Sequence, residues 1–213
     1  MRCDKKHMLL YAVTDRTWVG EQTLYKQVEE ALRGGVTCVQ LREKELGDAA
    51  FLQEAKELCA LCRRHGVPFI VNDNVEIAIA CGADGIHLGQ EDMAANEARR
   101  RVGDAMILGV CVRSVEEARQ AVRDGADYLG LGAVFPTSTK GDADQMPHDT
   151  LRAICDAVDV PIVAIGGINR DNLLQLSGSG VDGVALVSAI FSAEDIQETC
   201  RELRALAEKM VGL

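Results

Sequence analysis

Short apolar runs alternate along the chain with longer stretches whose apolar residues recur at helical spacing. Strand-like runs fall near residues 9–15, 38–44, 68–73, 85–90, 107–112, 128–134, 161–167 and 183–189. Between them lie amphipathic segments such as QTLYKQVEEALRGG, FLQEAKELCALCRRHG and SVEEARQAVRDGA, and AEDIQETCRELRALAEKM closes the series. A weak internal repeat supports this count. RGGVTCVQL, ACGADGIHLG, RDGADYLGLG and GSGVDGVALV share one design, in which a glycine stops a helix, a short turn follows and a strand begins.

Eight such βα units predict a parallel sheet with right-handed crossovers. An open doubly wound sheet is the competitor. It would show fewer strands and a glycine-rich first turn, and the first turn here, VTDRTWVGE, lacks GxGxxG. The reading is therefore α/β, a single (β/α)8 TIM barrel spanning residues 1–213 with no internal linker. The longest irregular segment, TSTKGDADQMPHD after the sixth strand, reads as a loop over the strand ends.

Composition adds two constraints. Hydrophobic residues make up 47% of the chain and aromatic residues 4%, which predicts aliphatic barrel layers. The net charge of −10, from 23 Lys plus Arg against 33 Asp plus Glu, argues against nucleic-acid and anionic-membrane partners. A local cationic cluster in a cleft can still hold a small anion, because distant surface charge is screened. No apolar run approaches the ~20 residues of a membrane span, and the N-terminal MRCDKKHMLLYAVTD shows no secretory h-region. Eight cysteines are scattered through a large α/β pattern, and the one CxxC, Cys59 to Cys62, sits inside a helical run without a second pair. Reduced, buried thiols and a cytoplasmic location are expected.

The chemistry gathers at the strand ends, which in a parallel barrel open onto one face. Gln40, Arg42 and Lys44 alternate with Val39, Leu41 and Glu43, so the polar trio shares one face. Two cations there fit a diphosphate, against the alternative of a solvated edge strand. Asn72 and Asp73 end the third strand, and Gln90 and Asp92 follow the fourth. Two carboxylates on neighbouring strands suit magnesium with phosphate oxygens and water; each could equally cap the helix that follows it. Thr137, Thr139 and Lys140 could hold a second phosphorylated group or a leaving diphosphate. Gly166, Gly167 and Ser188 follow strands seven and eight, where barrels bind phosphate. His87 could enter the pocket or be a satisfied core histidine; His7, His65 and His148 look incidental. No Ser-His-Asp arrangement or strand lysine points to covalent catalysis.

Together QLREK at 40–44, VND at 71–73, GIHLGQED at 85–92, GLGAVFPTSTK at 130–140, AIGGI at 164–168 and VSAI at 187–190 resemble the thiamine phosphate synthase family over essentially the whole chain. Members join a pyrimidine methyl diphosphate to a thiazole phosphate, giving thiamine monophosphate and diphosphate. The resemblance implies that the stretch Gln40, Leu41, Arg42, Glu43, Lys44, with Asn72, holds the pyrimidine diphosphate, and that Asp73 and Asp92 bind one Mg2+ per subunit. Thr137, Ser138 and Thr139 would meet the thiazole phosphate, whose phosphate end falls to Gly167, Val187 and Ser188. Lys140, Arg42 and Lys44 would act on the leaving diphosphate. One departure is Cys111, in GVC where the family usually carries serine, a better hydrogen-bond donor. The MPHD segment also lacks the usual glycine.

The implied chemistry needs no general base, because the aminopyrimidine stabilises positive charge as diphosphate leaves and the thiazole nitrogen attacks without losing a proton. Two alternatives compete. A related thiazole tautomerase is expected to lack the paired aspartates and to carry a histidine near the end of strand six, where Ala133 stands. A non-catalytic phosphate-ligand binder would show no turnover. The sequence leaves open a homo-oligomer and a 2-carboxylate on the thiazole.

Overall fold

A computed structural model describes residues 3–137 and 145–213. Eight parallel strands pair in chain order and close on themselves: β1 (Leu10–Val13), β2 (Cys38–Leu41), β3 (Phe69–Asn72), β4 (Gly85–Leu88), β5 (Ile107–Val112), β6 (Tyr128–Leu131), β7 (Ile162–Ile165) and β8 (Gly183–Leu186). Each lies inside its expected run. Most stop short of it at the C-terminal end, where single backbone bonds such as Thr14 N to Gln40 O and Asp73 N to His87 O carry the chain into the loops.

A short α1 (Lys5–Met8) precedes the first strand, followed by α2 (Leu24–Arg33), α3 (Asp48–His65), α4 (Val75–Cys81), α5 (Ala95–Val102), α6 (Val115–Arg123), α7 (His148–Cys155), a brief α8 (Ser188–Phe191) and α9 (Ile196–Val211). The expectation of a full helix after every strand fails after β7, where only a 3₁₀ turn, Leu173–Leu176, forms. The cause is local. Gly178 and Gly180 both adopt positive φ, at 75° and 95°, and end the segment before a second α turn can close. Leu173 and Leu176, three apart and both buried, share the face that the tighter helix eclipses.

Side chains alternate between two cores. The larger lies between sheet and helices and is aliphatic, with Leu10, Val39, Leu41, Val71, Ile86, Leu108, Leu129 and Val184 facing outward from the strands. The smaller fills the barrel with Met8, Tyr11, Val13, Cys38, Ile70, Ile107, Tyr128, Val163 and Ala185. The aliphatic expectation holds in the main for the outer layer, which also takes in Phe51, Phe69 and Phe191. Two wholly buried tyrosines occupy the barrel itself.

The internal repeat has a structural cause at the opposite end from the chemistry. Its aligned polar residues are Thr37, Asp84, Asp127 and Asp182, each standing just before an even-numbered strand. Each accepts a backbone N–H from the first or second residue of the preceding odd-numbered strand: Leu10 to Thr37 at 2.9 Å, Phe69 to Asp84 at 2.9 Å, Leu108 to Asp127 at 2.9 Å and Ile162 to Asp182 at 2.9 Å. Thus a short side chain with an acceptor oxygen recurs because one strand donor in need of a partner recurs. Arg99 reinforces the third unit, donating to Asp127, to Gly125 O at 2.7 Å and to Met106 O at 2.7 Å. Asp127→Ala should cost about 1–3 kcal/mol in urea unfolding, since a buried N–H and a charged partner both lose their acceptor. Asp127→Asn should cost less, because its side-chain oxygen can still serve Leu108. Equal losses would overturn this account.

All eight cysteines are free thiols, with Cys59 and Cys62 buried in α3 as expected and their thiols pushed up by burial. Among the described residues no helix is long and apolar enough to cross a membrane.

Candidate active site at the C-terminal mouth

The strand alternation continues past β2 and sorts QLREK. Gln40 points into the barrel and Leu41, fully buried, points to the helices. Arg42 is held at its backbone by Thr14 Oγ1 at 3.0 Å, and its guanidinium meets Asp15 Oδ2 at 3.0 Å. Asp15 also accepts from Thr17 N at 2.9 Å, so the acid is fixed before it orients the arginine. Glu43 turns the other way. Its carboxylate accepts from Arg16 Nε at 2.9 Å and from the backbone N–H groups of Glu45, at 2.6 Å, and Leu46, at 3.0 Å. Burial works to raise its pKa, yet these donors outweigh it and hold the carboxyl below its ordinary value. Glu43 therefore braces the loop with its side chain. Lys44 reaches across to Asp73 and pairs with it.

Neither Asp73 nor Asp92 is a helix cap, so the bland reading of both fails. Asn74 caps α4, accepting from Ile77 N at 3.0 Å, and α5 starts from Ala94 without a side-chain cap. Among the described residues Asp73 is the one non-glycine at positive φ, 64°, a conformation disfavoured for a residue with a Cβ. Strain of that kind is kept where surrounding contacts enforce it. Asp92 accepts from Gly89 N at 2.7 Å. Burial raises its pKa, and the adjacent Asp73 carboxylate raises it further.

These two acids, Lys44, Asn72 and Met93 line a cavity of about 510 Å³. Among the described residues no three His, Cys, Asp or Glu side chains gather as a complete protein-made metal cage. Two crowded carboxylates beside open space nevertheless fit magnesium, which keeps waters and takes phosphate oxygens to complete its octahedron.

Across the mouth, Thr137, Gly167, Ile168, Asn169, Ser188 and Ser192 line a second cavity of about 310 Å³. Gly167 has φ 65°, and a Cβ there would stand 2.3 Å from Pro136 O, so only glycine fits the close approach of the two loops. Asn172 clamps this loop, donating to Gly167 O at 2.9 Å and accepting from Asn169 N at 2.8 Å. Val187 ends the turn after β8 and Ser188 opens α8. Ser138, Thr139 and Lys140 lie outside the described residues.

Between the two cavities the floor is polar. Gln40 Nε2 donates to Tyr11 Oη at 2.9 Å, Tyr11 and Tyr128 share a hydrogen bond of 2.8 Å, and Tyr128 Oη meets His87 Nδ1 at 2.8 Å. His87 Nε2 lies 3.1 Å from Cys111 Sγ, while Gln90 reaches the carbonyl of Cys111. His87 is thus the satisfied core histidine. Asp15, Asn172, Tyr11 and Tyr128 escaped the sequence reading. Asp15, two residues past β1 and opposite QLREK, carried a signal; the tyrosines read as ordinary strand residues.

The thiamine monophosphate synthase family profile matches residues 10–190. The chain belongs to that family. It is 47% identical over 194 residues to the thiamine-phosphate synthase of Clostridium tetani, covering 91% of this chain and 93% of that one. The Chloroflexus aurantiacus thiamine-phosphate synthase is 49% identical over 198 residues, covering 92% and 91%. The structure also superposes on a thiamine phosphate pyrophosphorylase from Pyrococcus furiosus with a TM-score of 0.90 at 40% identity, covering 98% of this chain and 99% of that one. Family membership and the closed barrel identify the protein as an enzyme, a transferase of thiamine biosynthesis.

Proposed function

We propose that this enzyme condenses 4-amino-2-methyl-5-(diphosphooxymethyl)pyrimidine with 4-methyl-5-(2-phosphooxyethyl)thiazole, or its 2-carboxy form, releasing diphosphate and forming thiamine monophosphate. The observation that carries the reading is the division of one barrel mouth into two polar cavities. One is lined by Lys44 beside paired carboxylates, the other by Thr137, Gly167 and Ser188. That is room for two phosphorylated heterocycles with their reacting atoms between them.

Arg42 and Lys44 bind the diphosphate, with Lys140 joining them from the loop after β6. Asp15 orients the guanidinium through Nη1, which leaves the other donors for the anion. Asp73 and Asp92 would hold one magnesium ion, which when bound would neutralise charge on the diphosphate. As the C–O bond to diphosphate breaks, its electron pair leaves with oxygen and the aminopyrimidine shares the positive charge on the methylene. The thiazole nitrogen then forms the new C–N bond. No proton is removed, so the protein's contribution is stabilisation of departing negative charge and alignment of two rings. Small-molecule partners agree with the family, and eight free thiols favour a reducing, cytoplasmic setting.

Incubating purified protein with both substrates and magnesium should release diphosphate and produce thiamine monophosphate. Binding of both compounds without product would leave a ligand-binding protein and overturn the reading. Lys140→Ala should lower the single-turnover rate more than it weakens pyrimidine binding; the opposite pattern would remove Lys140 from the leaving-group role.

A further inference from the structure

QLREK sets an acid, Glu43, between the two cations assigned to the diphosphate, Arg42 and Lys44. Left to itself, that carboxylate would compete for the cations that the anion needs. The loop after β1 answers it residue for residue. Asp15 pairs with Arg42, and its neighbour Arg16 pairs with Glu43, so two ion pairs of opposite sense join the same two loops. Arg16 also donates to Glu54 of α3 at 2.7 Å, which ties three elements to one guanidinium. Residues 42–47 have no regular secondary structure, so contacts of this kind hold the loop's shape.

The two oxygens of Glu43 have separate tasks. Oε1 accepts the backbone N–H groups of Glu45 and Leu46. Oε2 takes the Arg16 fork, Nε at 2.9 Å and Nη2 at 2.5 Å. The side chain of Glu43 is 1% exposed and that of Arg16 29%. Water is therefore a poor substitute for the guanidinium. Without it a buried negative charge would stand unpaired beside the cavity that Glu43 and Lys44 line together.

We propose that Arg16 is a positioning residue for the diphosphate: by gripping Oε2 it holds the Glu43 carboxylate off Lys44 and offsets its charge, which keeps Arg42 and Lys44 available to the anion. This rests on the function proposed above. Arg16 touches no substrate in this arrangement and acts through Glu43.

Calorimetric binding of inorganic diphosphate in the presence of magnesium tests this without turnover. Arg16→Gln should weaken diphosphate binding roughly tenfold, about the contribution of one hydrogen bond to a charged group, and leave the affinity for thiazole phosphate unchanged. A loss shared equally by both ligands would make Arg16 a part of the general scaffold and overturn the proposal. A second substitution separates charge from packing. Glu43→Gln keeps an oxygen for Glu45 and Leu46 and removes the negative charge. The Arg16→Gln/Glu43→Gln pair should therefore bind diphosphate more tightly than Arg16→Gln alone, although a further member of the buried network is gone. Equal or weaker binding by the pair would overturn the proposal. If Arg16→Gln does not fold, Arg16→Lys keeps the charge and loses the fork. It should show a smaller loss, again confined to diphosphate; a loss on both ligands would count as before. Failure of the unsubstituted enzyme to form product would sink the proposed reaction, while the diphosphate affinities would still decide the part played by Arg16.

Discussion

Asp73→Asn and Asp92→Asn should each fold at least as stably as the unsubstituted enzyme and lose roughly two to three orders of magnitude in the rate of diphosphate release. The two halves of this expectation have different origins. Stability should not fall because neither carboxylate serves the fold as a helix cap; Asn74 takes that part for α4. Asparagine tolerates the left-handed backbone of residue 73 better than most residues. It can also keep the acceptor that Asp92 offers to Gly89 N. The Lys44–Asp73 pair that one variant loses is half-exposed on the lysine side, where such pairs contribute little. Against these small losses stands the removal of one of two like charges crowded together, the arrangement that raises the Asp92 pKa beyond what burial alone does.

Activity should fall because the same crowding is what a divalent cation relieves. Without the second negative charge the proposed magnesium ion would be held weakly, and the diphosphate would lose counter-charge as it departs. Thermal unfolding separates the effects. Magnesium should raise the melting temperature of the unsubstituted enzyme by mass action and leave both variants unmoved. Variants that melt lower and keep full activity would show that the carboxylates are structural. Gain of stability with loss of rate is the signature of a site held against its own fold.

Much of this mouth was legible from the sequence, because strand periodicity decides which residues face together. The alternation holds to the end of β2, so Gln40 and Leu41 separate as their spacing predicts. Glu43 shows where the reading runs out. Its place in the motif suggested substrate, and it does line the cavity with Lys44, but its carboxylate also accepts from Arg16, Glu45 and Leu46. A loop's own donors are invisible to periodicity.

The repeat around Thr37, Asp84, Asp127 and Asp182 was visible as glycine spacing, while its chemistry lay in the polar residue after the glycine. That residue has meaning only once neighbouring strands are paired. The tyrosine pair was beyond reach for the same reason: Tyr11 and Tyr128 are 117 positions apart and meet through barrel closure. Low aromatic content predicted an aliphatic interior, and an average cannot say that two of the few aromatics occupy its centre.

Gly109→Ala should be among the most damaging single-methyl additions to this chain. Gly109 lies on β5 opposite Tyr128 in the strand register. A Cβ built there would stand 2.1 Å from Tyr128 Cζ, 2.3 Å from Cε1 and 2.4 Å from the hydroxyl. The ring crosses the barrel over the space that glycine leaves, and its hydroxyl is tied to Tyr11 and His87. Moving the ring would break both bonds and press on a barrel wall that is already closed. Overpacking of this kind costs about 1–3 kcal/mol, and the lost buried hydrogen bonds add about 1–3 kcal/mol more. Replacing Tyr128 by Val removes the clashing atoms, so a Gly109→Ala/Tyr128→Val pair should lose clearly less than the two single losses added together. Urea unfolding of the four proteins measures that coupling directly. Strict additivity would mean that residue 109 does not make room for the ring, and the physical reason for glycine at that position would have to lie elsewhere.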